Sequence, residues 1–350
     1  PNVGTARGAT SGLQVEEMGS MSEPDISVVI PAFNAQRFIE ESIGSALAQS
    51  DASFEVIVVD DGSSDDTGII LKRMARNESR LSVYTNEQNM GPSQARNKAI
   101  ACARGRWIAL LDADDYFAPE RLRHLLRIAE ERDVDLLADN ITIVSEAGVP
   151  LGAAFGTEED GAVGLVTVRK FLELNRPLAS GVKLGYVKPI MRREFLLRHG
   201  LRYEEDIGVG EDFLYYMACL LRGGRFWIIP EAFYSYRLAE QSITRSSDDA
   251  AWRNTQLMKA NRALLEHGEI AHDQELRSLV FKRAKEYEAL LMYNTLVDAL
   301  RRRDVAECVG EVGSKLRLVP GLLVVVVGAL RRRFFVWRGG VSSFRGQRLR

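Results

Sequence analysis

The chain has 350 residues, of which 46% are hydrophobic and 27% charged, enough to bury a substantial core, so it reads as a folded globular protein. Its formal charge is −2, and its three cysteines (Cys102, Cys219, Cys308) are widely spaced, which excludes a disulfide framework and zinc-ligand spacing and fits a reducing compartment. Residues 301–350 carry 12 Lys and Arg against 3 Asp and Glu, so the basic tail points to an anionic surface.

Residues 1–24 are rich in Gly, Ser and Thr and lack the apolar run of a secretory signal, so they read as a disordered leader, with Met21 a candidate start. Strands are expected at 26–30, 55–59, 81–84, 107–111 and 134–138. Between them, helical spacing appears at Phe38, Ile39, Ile43, Ala46 and Leu47, at Ile69, Ile70 and Met74, and over 92–104 and 119–132. That alternation predicts a doubly wound α/β fold with a mostly parallel sheet. No strand is followed by a dinucleotide G-x-G-x-x-G or a P-loop G-x-x-x-x-G-K-[ST], which argues against an NAD enzyme and a P-loop NTPase. Residues 141–185 are Gly-rich and expected to form an irregular loop region over the crevice. Gly210-Glu211-Asp212 opens a further helix that Arg222-Gly223-Gly224 ends; strand-like residues 226–229, an extended segment at 234–237, and helices over 252–266 and 275–300 follow.

Two of the strands end in acid clusters. The run W-I-A-L-L-D-A-D-D-Y-F (107–117) stops in Asp112, Asp114 and Asp115, and F-E-V-I-V-V (54–59) stops in Asp60-Asp61-Gly62-Ser63-Ser64-Asp65-Asp66-Thr67. Carboxylates crowded at strand ends repel one another and persist where a cation neutralises them. Mg²⁺ or Mn²⁺ takes one or two protein carboxylates and completes its shell with water and phosphate oxygens, so a phosphorylated ligand in a crevice at the carboxyl edge of the sheet is expected. The plainer alternatives are that Asp114 and Asp115 cap a helix beginning near Pro119, and that Asp60 and Asp61 are turn formers. The four histidines form no metal-ligand pattern.

Taken in order, V-V-I-P-A-F-N (28–34), V-V-D-D-G-S-S-D-D-T (58–67), N-x-G-P-S-x-A-R-N (89–97), L-D-A-D-D (111–115) and G-E-D (210–212) resemble an inverting family-2 glycosyltransferase of the GT-A fold over residues 26–246. The stretch L-G-Y-V-K-P-I-M-R-R (184–193), with Y-R-x-x-x-x-S-I-T from Tyr236, is similar to bacterial exopolysaccharide transferases of the succinoglycan type. The resemblance implies that Pro31, Ala32 and Phe33 frame a nucleotide base and that Asp61 accepts from uracil N3. It further implies that Asp112 approaches the ribose or the metal, that Asp114 binds the Mn²⁺ or Mg²⁺ bridging the diphosphate, and that Asp115 orients the loop or donor sugar. Asp212 matches the family's general base, at a helix start that holds a carboxylate ionised, although it also suits a plain first-turn residue. Glu211 would contact the acceptor or begin the helix. Arg96 would meet the donor phosphates or bind a sheet-edge carboxylate, and Arg237 and Ser242 would reach the diphosphate or lie in a surface loop.

Residues 318–330 are continuously apolar but shorter than the roughly 20 residues a membrane-spanning helix needs. Followed by Arg331-Arg332-Arg333, Phe334, Phe335 and Trp337, they fit an interfacial element on anionic lipid, the alternative being a buried helix or oligomer contact; nucleic acid is not an expected partner. The expectation is therefore a leader (1–24), a GT-A domain with a nucleotide-sugar crevice (25–246), a helical extension (247–312) and a membrane-associating tail (313–350). Such a protein would be cytoplasmic, peripheral on the inner face of the cell membrane, and would transfer a hexose from a UDP-sugar to a lipid-linked glycan acceptor in polysaccharide assembly. A sugar-nucleotide pyrophosphorylase would want a glycine-rich loop after the first strand, which P-A-F-N-A-Q-R does not supply. A non-catalytic nucleotide-sugar-binding scaffold would not need both Asp114 and Asp212.

Overall fold

A computed structural model describes residues 23–50, 52–155, 161–179, 183–238 and 250–302. The expected leader and the apolar, arginine-rich tail thus lie outside the described residues, as does Ser242. Four apolar runs, β1 (Ile26–Ala32), β2 (Phe54–Asp60), β3 (Leu81–Thr85) and β4 (Trp107–Leu110), form a parallel set in the order β3-β2-β1-β4. Residues of β1, β2 and β4 are buried almost throughout, as strands covered on both faces must be. The intervening helices are α1 (Ile39–Leu47), α2 (Thr67–Ala75), α3 (Pro92–Cys102) and α4 (Arg121–Glu131).

The second half of the sheet adds β5 (Tyr116–Phe117), β6 (Leu136–Ser145), β7 (Pro150–Ala153), β8 (Gly164–Val166), β9 (Ile190–Arg192) and β10 (Phe226–Leu238). β9 is antiparallel to both β4 and β6, and β10 runs parallel to β6, giving the order β3-β2-β1-β4-β9-β6-β10-β5. Here the structure corrects the sequence reading. Residues 141–185 are not an irregular loop: they hold the second half of β6, then β7, β8 and α5 (Val168–Leu174). The polar pair Asp139-Asn140 breaks the apolar run and hides the continuation. Both are buried and satisfied, Asp139 by Arg121 (2.7 Å) and Asn140 by the backbone of Phe155 and Pro230. The two short extended segments expected after residue 225 are one strand, β10, bent by register shifts between Ile228 and Tyr234.

Helices α6 (Arg193–Arg198) and α7 (Glu211–Leu221) follow β9, and α8 (Ala250–Glu266), α9 (Gly268–His272) and α10 (Gln274–Arg302) form the helical extension. This extension packs on α5 and α7. Arg283 of α10 is buried, lies 3.5 Å from the Phe213 ring centroid, and donates to the Asn175 carbonyl (3.1 Å) and the Asn261 side chain (2.7 Å). Among the described residues no helix is long and apolar enough to cross a membrane.

Candidate active site

The carboxyl ends of the parallel strands β1, β2 and β4 lie at one edge of the sheet, and hydrogen bonds lace the loops after β1 and β2 together. Asn34 adopts a left-handed backbone (φ 48°) so that its side chain accepts from Ser64 N (2.9 Å) while its own N–H donates to Ser63 (3.0 Å). Ala35 N donates to Thr67 (2.8 Å). The P-A-F-N and D-D-G-S-S-D-D-T segments are therefore one laced unit, with Ala32 buried and Phe33 43% exposed at its rim. Gly62 (φ +72°) is required there, because a side chain would fall 2.6 Å from the Gln88 backbone. Asp61 is buried and receives Asn86 Nδ2 (2.7 Å), Met90 N (3.0 Å) and Gly91 N (2.7 Å), holding the N-x-G-P turn that starts α3. A carboxylate has about four acceptor positions, so Asp61 keeps capacity for a further donor.

At the end of β4 the three aspartates are treated differently by their surroundings. Asp112 accepts Arg96 (2.8 Å) and Lys188 (2.7 Å). Burial acts against its charge, but these two cations prevail and hold its carboxyl well below the usual range. Asp115 is buried, accepting the Tyr234 hydroxyl (2.6 Å) and Arg237 N (2.8 Å); burial, then the neighbouring Asp114 and Asp112, push its pKa well up. Asp114 is partly exposed and pairs with no cation among the described residues. Burial and then the charge of Asp112 push it up to about 6. Neither Asp114 nor Asp115 caps α4, which begins only at Arg121.

Asp212 stands in the first turn of α7, behind Gly210. Its Oδ2 accepts Lys188 Nζ (2.6 Å), its Oδ1 accepts the Tyr203 hydroxyl (3.0 Å), and Arg96 Nη1 lies 3.8 Å away. Glu211 accepts Arg96 Nη1 (2.9 Å), and burial followed by the Asp212 charge raises its pKa. Arg96 thus bridges Asp112, Glu211 and Asp212, the carboxylate-binding alternative for this residue. Burial alone would lower its pKa, but Asp212, Asp112 and Glu211 together raise it.

Lys188, which carried no assigned role in the sequence, is the other bridge. It is 5% exposed, and its carbonyl is fixed by Arg121 (2.5 Å), itself locked in a fully buried pair with Asp139. Its signal was only its place in the L-G-Y-V-K-P-I-M-R-R stretch. Arg237 is committed to structure on all sides: Nε donates to the Asp114 carbonyl (2.8 Å), Nη1 to the Glu146 carbonyl (2.7 Å) and Nη2 to Glu41 (2.5 Å), and the guanidinium sits over Phe38 and Tyr116.

Among the described residues no group of three or more His, Cys, Asp or Glu side chains is arranged to hold a metal by itself. Asp114, a raised-pKa carboxylate lacking a cation in contact, is the residue that fits a hard divalent ion whose other ligands come from phosphate and water.

The family model for glycosyl transferase family 2 matches residues 27–172. The succinoglycan biosynthesis protein ExoO of Rhizobium meliloti (strain 1021) is 34% identical over 287 residues, covering 81% of this chain and 79% of the relative. The succinoglycan biosynthesis protein ExoU of the same organism is 35% identical over 261 residues, 74% of each chain. Among solved structures, S. aureus TarS 1–349 in complex with UDP-GlcNAc superposes with a TM-score of 0.57 at 20% identity, over 84% of this chain and 92% of that one. The mannosyltransferase PcManGT from Pyrobaculum calidifontis, in complex with GDP-Man and Mn²⁺, gives 0.56 at 15% identity, over 93% and 85%. Motif order, a mostly parallel sheet with acids at its carboxyl edge, and relatives matched over most of their length agree, and the chain is a glycosyltransferase that belongs to glycosyl transferase family 2.

Proposed function

We propose that the protein is a metal-dependent inverting transferase that moves a hexose, with glucose the first candidate, from a UDP-sugar to a lipid-linked glycan in exopolysaccharide or surface polysaccharide assembly. The observation that carries this reading is the Lys188 bridge: one ammonium binds Asp112 at the sheet edge and Asp212 at the start of α7, so donor-side acids and a base candidate share one site. The names of the succinoglycan relatives and the nucleotide-sugar complexes of the structural neighbours support the substrate class.

Pro31, Ala32 and Phe33 would frame the base, Asp61 would accept from uracil N3, and Asp112 would face the ribose. Asp114 would hold the cation, which when bound supplies positive charge to the departing diphosphate. Asp115 and Arg237 would keep the Asp114 turn in place beneath the donor, and Arg96 would set the donor-side carboxylates. Inversion is one displacement: Asp212 takes the acceptor hydroxyl proton, the acceptor oxygen bonds the anomeric carbon, and the bond to UDP breaks as UDP departs with its electron pair. Glu211 would orient the acceptor beside it. The basic, apolar tail would hold the enzyme peripherally at the inner membrane face, near its acceptor.

Asp212→Asn keeps the size of the side chain but cannot take a proton, so turnover should fall by roughly 10²–10⁴ while UDP affinity stays within about threefold. Residual activity above about a tenth of wild type, or an equal loss of UDP binding, would contradict the assignment.

A further inference from the structure

Residues 184–188 are fastened to the start of α7 at three points. Gly185 packs on Phe213, where an added side-chain carbon would lie 3.4 Å from Cβ; the Tyr216 hydroxyl donates to the Val187 carbonyl (3.0 Å); and Lys188 reaches Asp212 (2.6 Å). Tyr186 sits between these anchors and is nonetheless 45% exposed. Opposite it stands Tyr236 of β10, ring centroids 6.3 Å apart and planes inclined at 59°. Tyr236 shares a strand face with Tyr234, two residues back, whose hydroxyl binds Asp115 and receives Asp112 N (3.2 Å). Arg121 ties the two segments together, lying over the Tyr234 ring at 5.2 Å and donating to the Lys188 carbonyl.

Two neighbouring segments therefore run outward from the carboxylate cluster. Each has a polar residue at the cluster (Lys188, Tyr234) and, two positions away, a tyrosine with exposed surface, Tyr186 or the partly exposed Tyr236. In β10 two residues of extended chain cover about 6–7 Å, the scale of one sugar ring, while on the other side Tyr186 ends a short 3-10 turn (Leu184–Tyr186) and the extended Val187 carries the chain on to Lys188. We propose that Tyr186 and Tyr236 form a stacking platform for a pyranose ring of the acceptor glycan. The apolar C–H face of a pyranose suits the electron-rich face of an aromatic ring. The acceptor is favoured over the donor sugar because a general base must lie about 2.6–3.2 Å from the hydroxyl it deprotonates, and the Tyr186 segment is built onto the helix that carries Asp212. The proposal rests on the reading of Asp212 as base.

The test compares the full-length protein with the double variants Tyr186→Ala/Tyr236→Ala and Tyr186→Phe/Tyr236→Phe. Calorimetry measures UDP binding with Mn²⁺, and saturation-transfer NMR measures binding of a panel of β-linked oligosaccharides of glucose, galactose and N-acetylglucosamine. At least one oligosaccharide should bind wild type, weaken about tenfold or more in the alanine variant and recover in the phenylalanine variant, with UDP affinity unchanged. The platform is overturned if no panel member binds wild type, if binding survives the alanine changes, or if UDP affinity falls alongside it. Tyrosine-dependent sugar binding by a wild-type protein that ignores UDP would instead overturn the nucleotide-sugar reading and leave the platform standing.

Discussion

Removing the charge of Asp114 should stabilise the metal-free protein while disabling it. An aspartate in ordinary surroundings ionises near ~3.9, whereas burial and the adjacent Asp112 push Asp114 up to about 6. The unfolded chain therefore releases this proton first. Between about pH 4 and pH 6 the folded state holds a proton that the unfolded state has lost, so stability declines as pH rises through that window and the full cost is present above it. At roughly 1.4 kcal/mol per pKa unit the gap corresponds to at most about 3 kcal/mol, and solvent screening of a partly exposed carboxyl brings it to about 1–2 kcal/mol. Asp114→Asn keeps the shape and removes that cost. Urea unfolding in EDTA should then show the variant more stable than wild type at pH 8 and equal to it near pH 4. With Mn²⁺ and UDP added the order should reverse, because only wild type gains the binding free energy of the cation complex. A variant no more stable than wild type at pH 8, or equally stabilised at both pH values, refutes the argument.

Lys188→Met should leave Asp112 and Asp212 facing each other without their shared ammonium, costing about 3–5 kcal/mol of stability and most of the turnover, while Lys188→Arg should recover stability better than rate. Urea unfolding and initial rates decide this, and a fully active, fully stable methionine variant would remove Lys188 from the site. Vesicle flotation should show the full chain on anionic liposomes at low salt and a chain lacking residues 318–350 off them, with UDP binding retained; unchanged flotation after truncation would rule out the tail as the membrane contact.

How much of this was legible in the sequence follows from which signals are local. β1, β2 and β4 announce themselves because each is a nearly unbroken apolar run, and the acids that end β2 and β4 stand out against it. The second half of β6 is hidden in the sequence because Asp139 and Asn140 look like a loop, although each is buried against a partner distant in sequence. β9 has three residues and lies antiparallel in a parallel neighbourhood, so nothing periodic marks it. Lys188 and Tyr186 fall in that same stretch, and a single lysine before a proline carries no local pattern; only the folded chain brings it 24 positions along to Asp212.

The charges of the site explain why those non-local residues matter. Asp112, Asp114, Asp115, Glu211 and Asp212 gather around Arg96 and Lys188, and the two cations are spent on Asp112, Glu211 and Asp212. Arg237 gives its side-chain charge to Glu41 and meets the cluster only through backbone groups and the Asp115 carboxylate. The acids joined by Arg96 and Lys188 are thus held in place before any ligand arrives, which preorganises the base candidate. Among the described residues Asp114 and Asp115 are left without a paired cation, and of the two Asp115 is buried with its oxygens taken by the Tyr234 hydroxyl and Arg237 N, so Asp114 is the one with exposed surface for a ligand. A dianionic diphosphate arriving by itself would worsen that imbalance, whereas a diphosphate arriving with a divalent cation corrects it. Donor and metal binding should therefore be mutually reinforcing, each raising the affinity for the other by the same factor. Calorimetric titration of UDP with and without Mn²⁺, and of Mn²⁺ with and without UDP, measures both arms, and equal UDP affinities in the two conditions would show that Asp114 is neutralised some other way.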